Sequence, residues 1–67
     1  MNDRDKMPDM AKGMLEGAKQ TVTIDRCDLW YFERVCEAQG LAVRIKSRLR
    51  DKYIMIADLS RMRLVRA

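Results

Sequence analysis

The chain has 67 residues, 48% of them hydrophobic and 36% charged, with fourteen Lys and Arg against ten Asp and Glu for a net charge of +4. A chain this short builds one core, because a domain of about 60 residues buries only about 60% of the surface its unfolded form exposes, yet it is too apolar and too patterned for disorder. It has no histidine, which removes the usual general base, the commonest zinc ligand and the side chain that titrates near neutrality.

These bounds predict a single domain over residues 1–67, with residues 1–6 frayed because their charges follow no period. The first ten residues lack the apolar stretch of a secretory signal, and the longest apolar runs, 29–32 and 53–57, are too short to span a bilayer. A cytoplasmic protein with no membrane partner is therefore expected. Cys27 and Cys36 fall in one predicted helix, about 180° apart around its axis and roughly 13 Å along it, too far for an intrachain disulfide.

In chain order, the first predicted element is a helix over about 8–19. Met7, Met10, Ala11, Met14, Leu15 and Ala18 recur at three-and-four spacing, and Pro8 suits a first turn. Gly13 and Gly17 oppose it, each costing about 1 kcal/mol against alanine. Residues 21–24, TVTI, form a β-branched run that reads as a strand. Asp25 is then expected to N-cap a second helix over 26–39, with Asp28 in its first turn facing the positive end of the dipole. As caps, these two carboxylates need no catalytic reading.

In that helix Leu29, Phe32, Val35 and Cys36 form an apolar stripe. Gly40 supplies the left-handed residue beyond the helix, and Leu41 can close back on the last turn. Trp30 lies off the stripe, near Arg26, Arg34 and Glu37. The methionine-bearing helix is expected to cover it; an exposed anchor for a partner is the alternative.

After Gly40 the chain alternates, with Val43, Ile45 and Leu49 on odd positions and Arg44, Lys46, Arg48, Arg50 and Lys52 on even ones. Period two predicts a strand with one apolar and one cationic face, turning or bending near 47–51. A helix is the rival reading, since Leu41, Ile45, Leu49 and Tyr53 fall four apart, and the β-branched Val43 and Ile45 after a glycine favour the strand. Residues 53–58, YIMIAD, read as a central strand flanked by Lys52 and Asp58. The tail, with Arg61 and Arg63 alternating with Met62 and Leu64, suits either a further strand or a short helix. The predicted fold class is α+β: one or two helices on a small antiparallel sheet of three to four short strands, in the order α-β-α-β-β with a further strand as the alternative ending.

Charge divides unevenly along the chain. Residues 1–41 hold six Lys or Arg against eight Asp or Glu, whereas residues 42–67 hold eight against two. A basic half of this kind is the footprint of a partner that is a nucleic acid or an acidic protein surface. No glycine-rich phosphate loop or nucleophile motif is present, so no catalytic residue, metal ligand or cofactor is assigned and the chain is read as a binding protein, not an enzyme.

The leading expectation is nucleic-acid binding on a basic sheet face, with Arg44, Lys46, Arg48, Arg50, Lys52, Arg61 and Arg63 on phosphates and Tyr53 available for stacking. No known RNA or DNA motif accompanies these residues. The alternative is a protein-binding inhibitor or adaptor acting through Trp30, Tyr31 and Arg34, residue types that dominate protein interfaces. By analogy it would resemble the small, catalytically empty products that phages and mobile elements direct at host proteins such as nucleases. A homodimer, through an apolar patch or a sheet edge, is compatible with both.

Overall fold

The β-branched run after Gln20 and the two alternating segments after Gly40 assemble into one antiparallel sheet in the computed structural model, which describes residues 3–61. The elements are a 3-10 turn (Asp3–Lys6), α1 (Met7–Leu15), β1 (Thr21–Asp25), a second 3-10 turn (Arg26–Asp28), α2 (Leu29–Ala38), β2 (Val43–Arg48) and β3 (Lys52–Ala57). The last strand in sequence is the middle one in space, the order being β1-β3-β2. This is the α+β layering expected, two helices on a three-stranded sheet. Residues 62–67, where a fourth strand or final helix was the expectation, lie outside the described residues.

Register explains which side chains are buried. Met55 of β3 stands opposite Val22 of β1 and Ile45 of β2, and Tyr53 stands opposite Ile24. Strand residues alternate faces, so Val22, Ile24, Val43, Ile45, Tyr53, Met55 and Ala57 share one face. On it Met55, Val22, Ile24 and Val43 are buried. The helices cover this face with Met7, Ala11 and Met14 of α1 and Phe32 and Cys36 of α2. The other face carries Thr21, Thr23, Asp25, Arg44, Ser47, Lys52, Ile54 and Ile56.

Both helices end on glycine for the same backbone reason. Gly17 (φ +82) and Gly40 (φ +81) adopt the left-handed conformation that an L side chain resists. Ala18 N donates to the Gly13 carbonyl at 2.8 Å and Gly17 N to Met14 at 3.2 Å. The same pattern recurs one helix later, where Leu41 N donates to Cys36 at 2.9 Å and Gly40 N to Glu37 at 3.0 Å. These are the paired bonds of the Schellman motif. Gly17 thus stops α1 at Leu15, short of the expected 19, while buried Leu41 closes the end of α2 as predicted.

Three local expectations are corrected. Residues 3–6, expected to fray, form a turn in which Arg4 Nε donates to Asp28 Oδ1 at 3.1 Å and its guanidinium lies 4.7 Å from the Tyr31 ring centre. Asp25 is no side-chain cap: its carboxylate accepts from Lys52 Nζ at 2.6 Å, and a 3-10 turn intervenes before α2 begins at Leu29. Asp28 holds the N-cap position of α2 yet makes no side-chain cap bond, its carboxylate being engaged by Arg4. Arg4 and a bond from Gln39 Nε2 to the Pro8 carbonyl (2.9 Å) tie the N-terminal segment across α2.

The third correction concerns the strict alternation read after Gly40. A bulge interrupts β2: Ile45 is opposite Met55 and Ser47 opposite Ile54, leaving Lys46 with no residue of its own across the ladder. One inserted residue reverses the facing of everything after it. Arg48 therefore stands opposite Tyr53, on the helix-covered side by register, while Ser47 takes the outer position that alternation had reserved for a cation.

Three outcomes follow from this packing. Phe32, fully buried, should cost about 3–5 kcal/mol when truncated to alanine, measured as a lowered denaturant midpoint. Burial, and after it the negative charge of Glu33, push the Cys36 thiol up from 9.0 to about 12. The unfolded thiol ionises near 9.0, so its contribution to stability is complete below that pH and is lost as pH rises from 9.0 through about 12. Under native conditions an alkylating reagent should modify exposed Cys27 and spare Cys36, with both modified in denaturant. The alkaline loss of stability should be shallower in Cys36→Ala.

Candidate functional site

The most conspicuous surface feature is built on α2. Phe32 and Cys36 point into the core, and Trp30 lies about 160° around the helix from Phe32 at 3.6 residues per turn. Its indole is 67% exposed. The expectation that the methionine-bearing helix covers it is overturned: α1 crosses the buried side of α2, and the methionines Met7 and Met14 are spent on the core. Arg34, one turn onward, places its guanidinium 5.3 Å from the Trp30 ring centre, a cation–π contact that limits the ring's freedom.

One turn back from Trp30, the 3-10 turn brings Arg26 and exposed Cys27 to the same end of the molecule as the β2–β3 turn. Arg26 N donates to the Asp51 carbonyl at 3.0 Å and its Nη1 to the Arg50 carbonyl at 3.3 Å. Its guanidinium also lies 5.7 Å from the Tyr53 ring centre. Asp25, Arg26, Cys27, Arg50 and Asp51 line a shallow open depression there. Leu49, at the tip of the turn, is also exposed.

The residues expected to form a basic sheet face are not gathered on one. Arg44 and Lys52 lie on the outer face, Arg48 takes the opposite facing, Lys46 sits in the bulge, and Arg50 is in the turn. Several have carboxylates beside them. Lys52 pairs with Asp25. Asp58 is held below the usual carboxylate range by the Ser60 hydroxyl, which donates to it, and then by the nearby charges of Arg61 and Arg44. Arg61 lies in the turn after β3 and lines a cleft with Glu33 and Glu37. Arg63 falls outside the described residues.

The aromatic expectations divide likewise. Tyr53 faces the helix side of the sheet, half-buried under Arg26, so the outer face offers no ring for stacking; at its middle stand Ile54 and Ile56, both partly exposed. Tyr31 is half-buried against Arg4 and belongs to the packing of the N-terminal segment. Trp30 and Arg34 remain as the exposed pair of the expected protein-contact set. The sequence placed Arg26 beside Trp30 without assigning it to the partner-contact set and left Cys27 out of that set, although one helical turn of spacing from Trp30 pointed to both.

Among the described residues, no group of three or more His, Cys, Asp or Glu is placed to hold a metal ion, and no helix is long and apolar enough to cross a membrane. Comparison of the chain with protein-family models, with curated proteins and with solved structures finds no match.

Proposed function

We propose that this chain is a non-catalytic docking domain, an inhibitor or adaptor in kind, that binds an acidic protein surface through Trp30 and the cations around it. The observation carrying this reading is the chain's only tryptophan held 67% exposed on the side of α2 opposite the core. A large ring in water forgoes the burial that a small domain most needs, and tryptophan and arginine are the residue types that anchor protein interfaces. The indole would enter an apolar pocket on the partner. Arg34, Arg26 and Arg50 would meet carboxylates at its rim.

Local charge favours a protein over a polyphosphate. Asp25 and Asp51 line the same depression as Arg26 and Arg50, so this end of the molecule carries both signs of charge and a phosphate backbone would meet carboxylates as well as guanidinium groups. A protein surface can match the mixed pattern group by group. A nucleic-acid platform on the sheet draws less support, since its outer face holds Arg44 and Lys52, the latter paired with Asp25, around two isoleucines.

Affinity capture from a lysate, with and without nuclease, tests the reading when the wild-type chain is compared with Trp30→Ala and Arg44→Glu/Lys46→Glu. The expected result is a protein captured regardless of nuclease and lost with Trp30→Ala. Loss of about 2 kcal/mol, or roughly 30-fold in Kd, is the scale expected of an anchor. Trp30→Ala itself should shift stability by no more than about 0.5 kcal/mol, as surface substitutions do. Capture that vanishes with nuclease and with the Arg44/Lys46 reversal, but survives Trp30→Ala, would establish the nucleic-acid reading instead.

A further inference from the structure

We infer that β1 is a pairing edge for a second copy of this chain, joining two three-stranded sheets antiparallel across a two-fold axis at Thr23. The inference rests on the sheet edge and not on Trp30. Three independent features of the strand carry it.

The first is the direction of its backbone groups. Arg26 N donates to the Asp51 carbonyl, in step with the β1–β3 register that pairs Asp25 with Lys52. Backbone groups in an antiparallel strand alternate between its two neighbours, so residues 22, 24 and 26 address β3. The N–H and C=O groups of Thr21, Thr23 and Asp25 then point away from the sheet. With Thr23 opposite its own copy, Thr21 faces the partner's Asp25, and all three outward residues fall in hydrogen-bonded pairs.

The second is the contrast between the two edges of the sheet. β2 carries Arg44, Lys46 and Arg48 and is broken by a bulge, the devices by which proteins blunt an edge against pairing. β1 runs TVTID with a continuous register, no bulge, no proline and no lysine or arginine. Only one edge is defended.

The third is side-chain complementarity. Asp25, which ends β1, is already paired with Lys52, so it brings no uncompensated charge against a second copy. At this register Thr21 faces Asp25 and Thr23 faces Thr23 on the outer side, the latter a favourable cross-strand pair, and Val22 faces Ile24 on the core side, with no like charges opposed.

Sedimentation equilibrium of the full chain over a concentration series, under reducing conditions so that exposed Cys27 does not cross-link copies, tests the inference alongside residue-resolved amide exchange. The expected result is a reversible dimer in which the amides of Thr21, Thr23 and Asp25 gain protection as concentration rises, while those of Val22 and Ile24 are protected throughout. Thr23→Pro removes an N–H that makes no ladder bond among the described residues, at an edge position where proline is tolerated, and should give a folded monomer. Thr23→Lys changes only an exposed outer side chain and should also give a monomer, by repulsion across the axis; it decides the matter if the proline variant unfolds. A wild-type chain that stays monomeric throughout, outward amides whose exchange ignores concentration, or variants that associate like the wild type would each overturn the inference. Protection of those amides only on adding a different protein would assign the edge to that partner instead.

Discussion

Burial of Met55 at the centre of the sheet is the constraint on which the rest of this small protein depends. It is fully buried, it belongs to the middle strand, and its cross-strand neighbours are Val22 and Ile45. Both helices close over the same face through Met7, Ala11, Met14, Phe32 and Cys36. A chain of this length has apolar side chains enough for one such layer. Once two helices and one sheet face are committed to it, the opposite sheet face and the far side of α2 are left to solvent. The exposed Trp30 and the partly exposed Ile54 and Ile56 are consequences of that geometry.

The same arithmetic explains why the core uses methionine. Met7, Met14 and Met55 fill the space between short helices and a twisted sheet, where an unbranched thioether adapts to gaps that branched side chains leave. In the sequence the methionines at three-and-four spacing marked a helix correctly. They also suggested a cover for Trp30, and there the inference failed for a definite reason: the stripe on α1 is narrow, and Phe32 and Cys36 already face it. Nothing wide enough remained to reach around α2 to its far side.

Much of the fold was legible because local chemistry and global burial agree. Gly40 with Leu41 marked the end of α2, the β-branched TVTI run marked β1, and the apolar run beginning at Tyr53 marked the central strand. The cap at Asp25 was misread because its carboxylate is drawn to Lys52, directly opposite on β3, a partner 27 residues away that sequence proximity does not reveal. The candidate site was less legible still. Alternation from Arg44 to Lys52 is a true period in the sequence, but a single bulge at Lys46 divides it in space. Residues 45–47, Ile, Lys and Ser, include no glycine of the kind that marks some bulges, and the sequence pointed to a turn or bend only from Ser47 onward.

The bulge also gives the molecule its asymmetry of edges and so bears on how it associates. By twisting β2 and displaying three cations along it, the sequence protects the edge that would otherwise extend the sheet in that direction. On the edge-pairing proposal those cations would guard the edge of β2, a role that needs no phosphate partner. β1 has no comparable protection, and its outward groups Thr21, Thr23 and Asp25 are matched by their own two-fold image. A 67-residue domain with one thin core gains from any surface that removes backbone polar groups from water in satisfied pairs, because folding and association then share a single free-energy balance. The two surfaces are separable on this view: the edge of β1 joins copies of the chain, and the far side of α2 presents Trp30 to a partner. Doubling the first would display the second twice, so that two modest contacts on a symmetric or repeating target act at high effective concentration.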